Sequence, residues 1–108
     1  MLKLNKEIVC KDGFVMSVQA NCTAYCSPRI DNAPKYTKVE VGFPSHPEPL
    51  LLEWAEDENR PTNTVYGYVP ADRISLVCVK HGGIVSGDLP AGIPHIEPTI
   101  QAEGRIDV

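Results

Sequence analysis

Tyr25, Arg29, Arg60, Tyr66, Tyr68 and Arg73 carry the strongest chemical signal in this sequence. Tyrosine rings stack on flat partners, and guanidinium forks grip phosphates or carboxylates through two parallel hydrogen bonds. Such a set suits a pocket for a small anionic or nucleotide-like ligand. It suits equally a hot spot for a protein partner, where tyrosine and arginine are enriched. The plainer alternative is that the tyrosines form the core and rim of a small sheet and the arginines keep it soluble.

Other reactive residue types do not assemble into a site along the chain. Cys22 and Cys26 form one C-x3-C pair, and Cys10, Cys78, His46, His81 and His95 are scattered. A structural zinc site normally takes two short-spaced ligand pairs, so no metal is expected. A catalytic thiolate needs a histidine or a helix N-terminus beside it, and no histidine has local spacing for that role. His81 is more simply read as a favourable charge at a helix C-terminus. Glu53, Glu56, Asp57 and Glu58 crowd around Trp54, but EWAEDENRP reads as a solvated charge run. Gly82-Gly83 lacks the Lys-Ser/Thr of a phosphate loop. We therefore assign no catalytic residue and no cofactor.

Glu7–Cys10 and Phe14–Gln19 flank Lys11-Asp12-Gly13, a hairpin signal. Phe14, Met16 and Val18 alternate with Val15, Ser17 and Gln19, the period of a half-buried strand. Ala20–Pro34 reads as a loop, and Tyr36–Phe43 as a second half-buried strand. Pro44–Pro49 is extended and unsuited to a sheet ladder. Leu50–Ala55 fits a helical turn or an edge strand, and Glu56–Asn63 a solvated turn. Thr64–Val69 is the most strand-like segment. Pro70 then suits a first helical position, Ile74, Val77 and Cys78 recur at helical spacing, and Gly82-Gly83 supplies a stop. Ile74, Val77 and Val79 are β-branched, so a strand over Arg73–Lys80 competes with the helix. Thr99–Gln101 and Arg105–Val108 suit a small hairpin, or an arm whose isoleucines dock.

The bulk properties bound the class. A chain of 108 residues with 43% hydrophobic and 22% charged side chains suits one core. Ten prolines exclude long helices except between Pro70 and Pro90. The net charge of −4 is uneven, because residues 1–42 hold six basic and four acidic side chains. An acidic whole argues against binding a nucleic-acid polymer. No window approaches the roughly 18 apolar residues of a membrane span, and the N-terminus lacks a signal-like apolar stretch. The four cysteines are then expected as reduced thiols in a cytoplasm.

Several stretches together resemble a family of small proteins encoded by bacteriophages and prophages: MSVQA (16–20), YCSPR (25–29), YTKVEVGFPS (36–45), EPLL (48–51), WAED with RPTNTVYGYVP (54–70) and KHGGI (80–84). They keep their order across about residues 14–84. The resemblance implies a phage context and transfers no catalytic residue. In that family the segment before KHGG is a more ordinary amphipathic helix than ISLVCV here. Separately, GYVPADRI resembles the GYVPSNYV signature of Src-homology-three domains, whose tryptophan and proline line a groove for proline-rich peptides. Here Arg73 replaces that signature's tyrosine, and the acidic N-terminal strand is missing.

These readings predict an α+β domain over 1–89, with a C-terminal arm over 90–108 that is docked or oligomerising. About four antiparallel strands (7–11, 14–20, 36–43, 64–69) carry one helix, Ala71–His81, that buries Ile74, Val77 and Cys78. The alternative is a small all-β barrel of the Src-homology-three kind. So small a sheet points to a homo-oligomer. The expected function is a non-enzymatic, phage-type accessory protein in the host cytoplasm. It would inhibit antiviral defence by binding a host protein or by sequestering a nucleotide signal. The alternative is a peptide-binding or virion-associated structural module.

Overall fold

The structure is a computed structural model that describes residues 4–98. Lys11-Asp12-Gly13 turns the chain between β1 (Ile8–Cys10) and β2 (Val15–Gln19). Gly13 holds φ at 95°, where a side chain would be strained, and Asp12 Oδ1 accepts from the Phe14 N–H at 2.9 Å. β3 (Lys38–Gly42) pairs with β2, and β4 (Val65–Pro70) pairs with β3. All pairings are antiparallel. Alternation places Met16, Val18, Val39 and Val41 on one buried face, as the two-residue period requires.

The chain then forms α1 (Ala71–Lys80), which lays Ile74, Val77 and Cys78 on the core side of that sheet. Three buried contacts outweigh the β-branched preference of ISLVCV, because tertiary burial overrides a helix-propensity cost of a few tenths of a kcal/mol per residue. This removes the barrel alternative, which needed a strand over residues 71–81. Pro70 is the N-cap and last strand residue, one position before the helical start assigned to it above. Gly82 and Gly83, both with positive φ, end the helix, and the Gly83 N–H donates to the Cys78 carbonyl at 2.8 Å.

A fifth strand, β5 (Ile84–Ser86), follows at once and pairs with β1. The sheet order is β4-β3-β2-β1-β5, an open five-stranded antiparallel sheet where four strands were expected. Three residues are too few to show a period, and β5 exists because β1 has a free edge within reach. Both outer edges are covered. The Ile84 N–H donates to the Ile96 carbonyl at 2.7 Å, and on β4 the Tyr68 N–H donates to the Tyr25 carbonyl at 3.0 Å. Of its two readings, Leu50–Ala55 takes the helical turn, a 3-10 turn over Leu52–Trp54, and ends in an isolated bridge from Ala55 to Tyr66. In the proline-rich stretch, the Ser45 N–H donates to Val15 of β2 at 2.8 Å.

Beyond residue 90, Ile93 is buried and Ile96 packs against the core. The hairpin suggested for Thr99–Val108 lies outside the described residues. Among the described residues no helix is long and apolar enough to cross a membrane.

Candidate functional site

Two polar clusters stand out, on different parts of the fold. The first is built on an irregularity of β4. Val39 pairs with Val69 and Val41 with Tyr66, so Glu40 alone faces two residues, Gly67 and Tyr68. This is a β-bulge, and the extra residue re-aims a side chain. In a regular strand Tyr66 and Tyr68 would share a face. Here Tyr66 and Val69 both enter the core, and Tyr68, at φ 55°, turns outward.

Tyr25 meets Tyr68 there, with ring centroids 6.1 Å apart and planes inclined by 30°. The Tyr25 N–H donates to Glu40 Oε1 at 2.8 Å, which fixes its loop to β3. Gly67 allows the close approach, since a Cβ at that position would lie 3.2 Å from Tyr25 Cβ. Arg29 sits over the Tyr25 ring at 5.2 Å from the centroid, and one of its nitrogens donates to the Thr23 carbonyl at 2.9 Å. Tyr25 and Tyr68 keep 38% and 45% of their surface exposed. The result is a shallow aromatic platform capped by a guanidinium, with most of its donors unused.

The six residues singled out from sequence therefore divide. Tyr25, Arg29 and Tyr68 converge. Tyr66 is fully buried and its hydroxyl donates to the Pro61 carbonyl, so it cannot meet an external ligand. Arg60 lies in the exposed turn after Asp57. Arg73 lies elsewhere, on α1, 5.2 Å over the Trp54 ring. Phe43, at the end of β3, went unnoticed; it too has positive φ (46°) and is exposed. A bulky residue in that region is uncommon and strained. Nothing in the local sequence signals it.

The second cluster joins the hairpin turn, the proline-rich stretch and the helix end. His81 caps α1, and its Nδ1 lies 2.6 Å from Asp12 Oδ2 while its Nε2 lies 2.6 Å from Glu48 Oε1. A neutral imidazole carries one N–H, so only the imidazolium donates to both carboxylates. Burial opposes that charge, but the hydrogen bonds to Glu48 and Asp12 outweigh it and raise the His81 pKa. Phe14 stacks on the ring at 4.1 Å. Glu48 is 1% exposed and also accepts from Lys80 Nζ at 2.9 Å and the Leu50 N–H at 2.8 Å. Burial alone would raise its pKa, yet those donors hold it below the ordinary carboxylate value. Asp12 is lowered chiefly by the Phe14 N–H and then by His81.

With both ring nitrogens committed, His81 has no lone pair to accept a proton from a substrate. Cys10 and Cys78 nearby are buried and hydrogen-bonded to each other; that bond, against burial, holds the Cys10 thiol below its ordinary value, while bond and burial together push Cys78 well up. All four cysteines are free thiols. Among the described residues no group of three or more His, Cys, Asp or Glu side chains is arranged to hold a metal. The run Glu53, Glu56 and Glu58 is exposed, as its composition implies. The acidic residue that organises the interior is Glu48, isolated between two prolines and invisible to a search for charge clusters. Comparison with protein-family models, characterised proteins and solved structures finds no match.

Proposed function

We propose that this protein is a non-enzymatic binding module that recognises a protein partner through the Tyr25–Tyr68–Arg29 platform. The observation that supports it is the bulge: the chain holds Tyr68 in a strained conformation that exposes an aromatic ring instead of burying it. Strain of this kind persists where the surrounding structure over-determines it, and it gathers at functional sites. Tyrosine and arginine at the centre of a shallow surface are the residue types that anchor protein interfaces. A small-molecule site would instead enclose its ligand. The two rings already touch and Arg29 covers one, so no slot is open between them for a base. That weighs for a protein partner over a sequestered nucleotide.

The committed ring nitrogens of His81 and the buried Cys10 and Cys78 support a non-enzymatic role. The resemblance to small phage proteins supports a partner in the host cell cytoplasm, with inhibition of antiviral defence as the consequence of binding. A homo-oligomer is part of this proposal, supported by the small size of the sheet.

Affinity capture from a bacterial host extract tests it, comparing the native chain with a Tyr25→Ser/Tyr68→Ser variant of unchanged circular dichroism. One defined protein held by the native chain and lost by the variant is the expected result. An identical set on both would refute the platform. Thermal-shift assays with cyclic and linear nucleotides run alongside, and a saturable response would replace the protein reading with sequestration.

A further inference from the structure

The four free thiols of the chain sit in unlike surroundings. Cys22 is exposed, and its hydrogen bond to Asp31 raises its pKa. Cys26 is buried and donates to the Asn21 carbonyl at 3.2 Å. Cys10 and Cys78 differ from both, because they are fully buried and hydrogen-bonded to each other. Cys10 ends β1, whereas Cys78 lies in the last turn of α1.

The backbone brings these two elements together. Gly82-Gly83 turns the chain back at the end of α1, so that Ile84 pairs with Cys10 and the Lys11 N–H donates to the Gly83 carbonyl at 2.9 Å. The Asp12 N–H donates to the His81 carbonyl at 3.2 Å, and the Gly83 N–H to the Cys78 carbonyl at 2.8 Å. The helix end is thereby tied to the first hairpin, and the buried face of α1 lays Cys78 against the buried Cys10. Sulfurs that share a proton are in contact, so only a short further approach of the two side chains separates them from a disulfide. The pair is also polarised. The hydrogen bond from Cys78 lowers the Cys10 pKa against the cost of burial, and the His81 charge adds to it. The same bond and burial raise Cys78. A lowered thiol attacks first, and its partner keeps its proton for the second step.

We propose that Cys10 and Cys78 are an oxidation site, at which hydrogen peroxide converts the hydrogen-bonded pair into an intramolecular disulfide joining β1 to α1. The Cys10 thiolate sulfur attacks one peroxide oxygen; an S–O bond forms, the O–O bond breaks, and the hydroxide released takes the proton Cys10 gave up and becomes water. The Cys78 sulfur then attacks the sulfenic sulfur of Cys10. The S–S bond forms, the S–O bond breaks, and the departing hydroxide takes the Cys78 proton as a second water. Two thiols are oxidised by two electrons in all, and one peroxide is reduced to two waters. Burial selects the oxidant: peroxide is little larger than water and enters through local opening, whereas a bulky disulfide reagent meets the exposed Cys22 first. The site is independent of the Tyr25–Tyr68 platform, and either can fail without the other.

Peroxide treatment of the folded full chain at neutral pH, alkylation of the remaining thiols in denaturant and non-reducing peptide mass spectrometry test the site. The expected product is one Cys10–Cys78-linked peptide pair, lost on treatment with dithiothreitol, with Cys22 and Cys26 recovered alkylated. In Cys78→Ala the reaction should stop at the Cys10 sulfenic acid, which dimedone traps on unfolding, whereas Cys10→Ala should give no adduct at Cys78. Should either variant fail to fold, the linkage in the native chain decides alone. Recovery of Cys10 and Cys78 as alkylated thiols at a peroxide concentration that oxidises Cys22 overturns the proposal. A linkage of either residue to any other cysteine does the same.

Discussion

The His81 clamp and the Tyr25–Tyr68 platform are both polar clusters that join segments far apart in sequence, but they treat their groups in opposite ways. In the clamp the strong donors meet acceptors: two imidazolium N–H groups, one ammonium and two backbone N–H groups converge on Glu48 and Asp12. On the platform an arginine keeps most of its donors free, two rings keep solvent-exposed faces, and Tyr68 is held in a strained conformation. A satisfied buried network fixes a fold and leaves little for a ligand. A strained, unsatisfied and exposed one is where a protein departs from its own best stability. A search for titratable groups alone would have chosen the clamp. Asking which groups are still free selects the platform.

The largest expected effect breaks the clamp. Glu48→Ala removes the shared acceptor and leaves the His81 charge half-buried without its inner partner. It should cost about 3 kcal/mol of stability in denaturant unfolding, within the range for orphaning one member of a buried ion pair. A loss below about 1 kcal/mol would mean that the clamp is not what holds the proline-rich stretch to the helix end.

Protonation is a gentler break with two signs. His81 has a folded pKa above its unfolded value of 6.5, so its contribution is fully present below pH 6.5 and is lost as pH rises through the folded value. Asp12 and Glu48 are lowered from 3.8 and 4.5, so theirs is present above those values and is lost as pH falls through the folded ones. Stability measured against pH should therefore peak between these limits. His81→Gln should flatten the alkaline decline, and an unchanged decline in that variant would assign it to another group.

On the platform the expected sign reverses. Tyr68→Asn places at φ 55° a residue that tolerates the left-handed region, and should raise stability by about 1 kcal/mol. The same change should abolish partner capture. Stability and binding would then be seen to oppose each other at one residue, and a destabilised variant would show that the ring is held for packing. Smallest of all, Arg29→Ala should change stability by less than about 0.5 kcal/mol, as for an exposed side chain, while reducing partner capture. Thermal denaturation alongside the capture assay separates the two.

Much of the fold was legible because it rests on local periods. Alternation in Phe14–Gln19 and Tyr36–Phe43, the Asp-Gly turn and the 3.6-residue recurrence of Ile74, Val77 and Cys78 each report a buried face directly. Less of the candidate site was legible. Tyr25 and Arg29, four residues apart in an irregular loop, lie beside Tyr68, whereas Tyr66, grouped with them because a regular strand would align it, is buried. Glu48 and Phe43 carried no local signal.

By itself the sequence determined where the chain bends and which faces are apolar, since glycine, proline and side-chain period act within a few residues. Only the tertiary structure decided which exceptions to those periods exist. The bulge at Gly67-Tyr68 comes from matching β4 to β3, β5 from an open edge on β1, and the imidazolium of His81 from two carboxylates brought in from 69 and 33 positions away. Pairing register, edge availability and the field of distant charges are set by the whole fold, and the candidate functions of this protein rest on them.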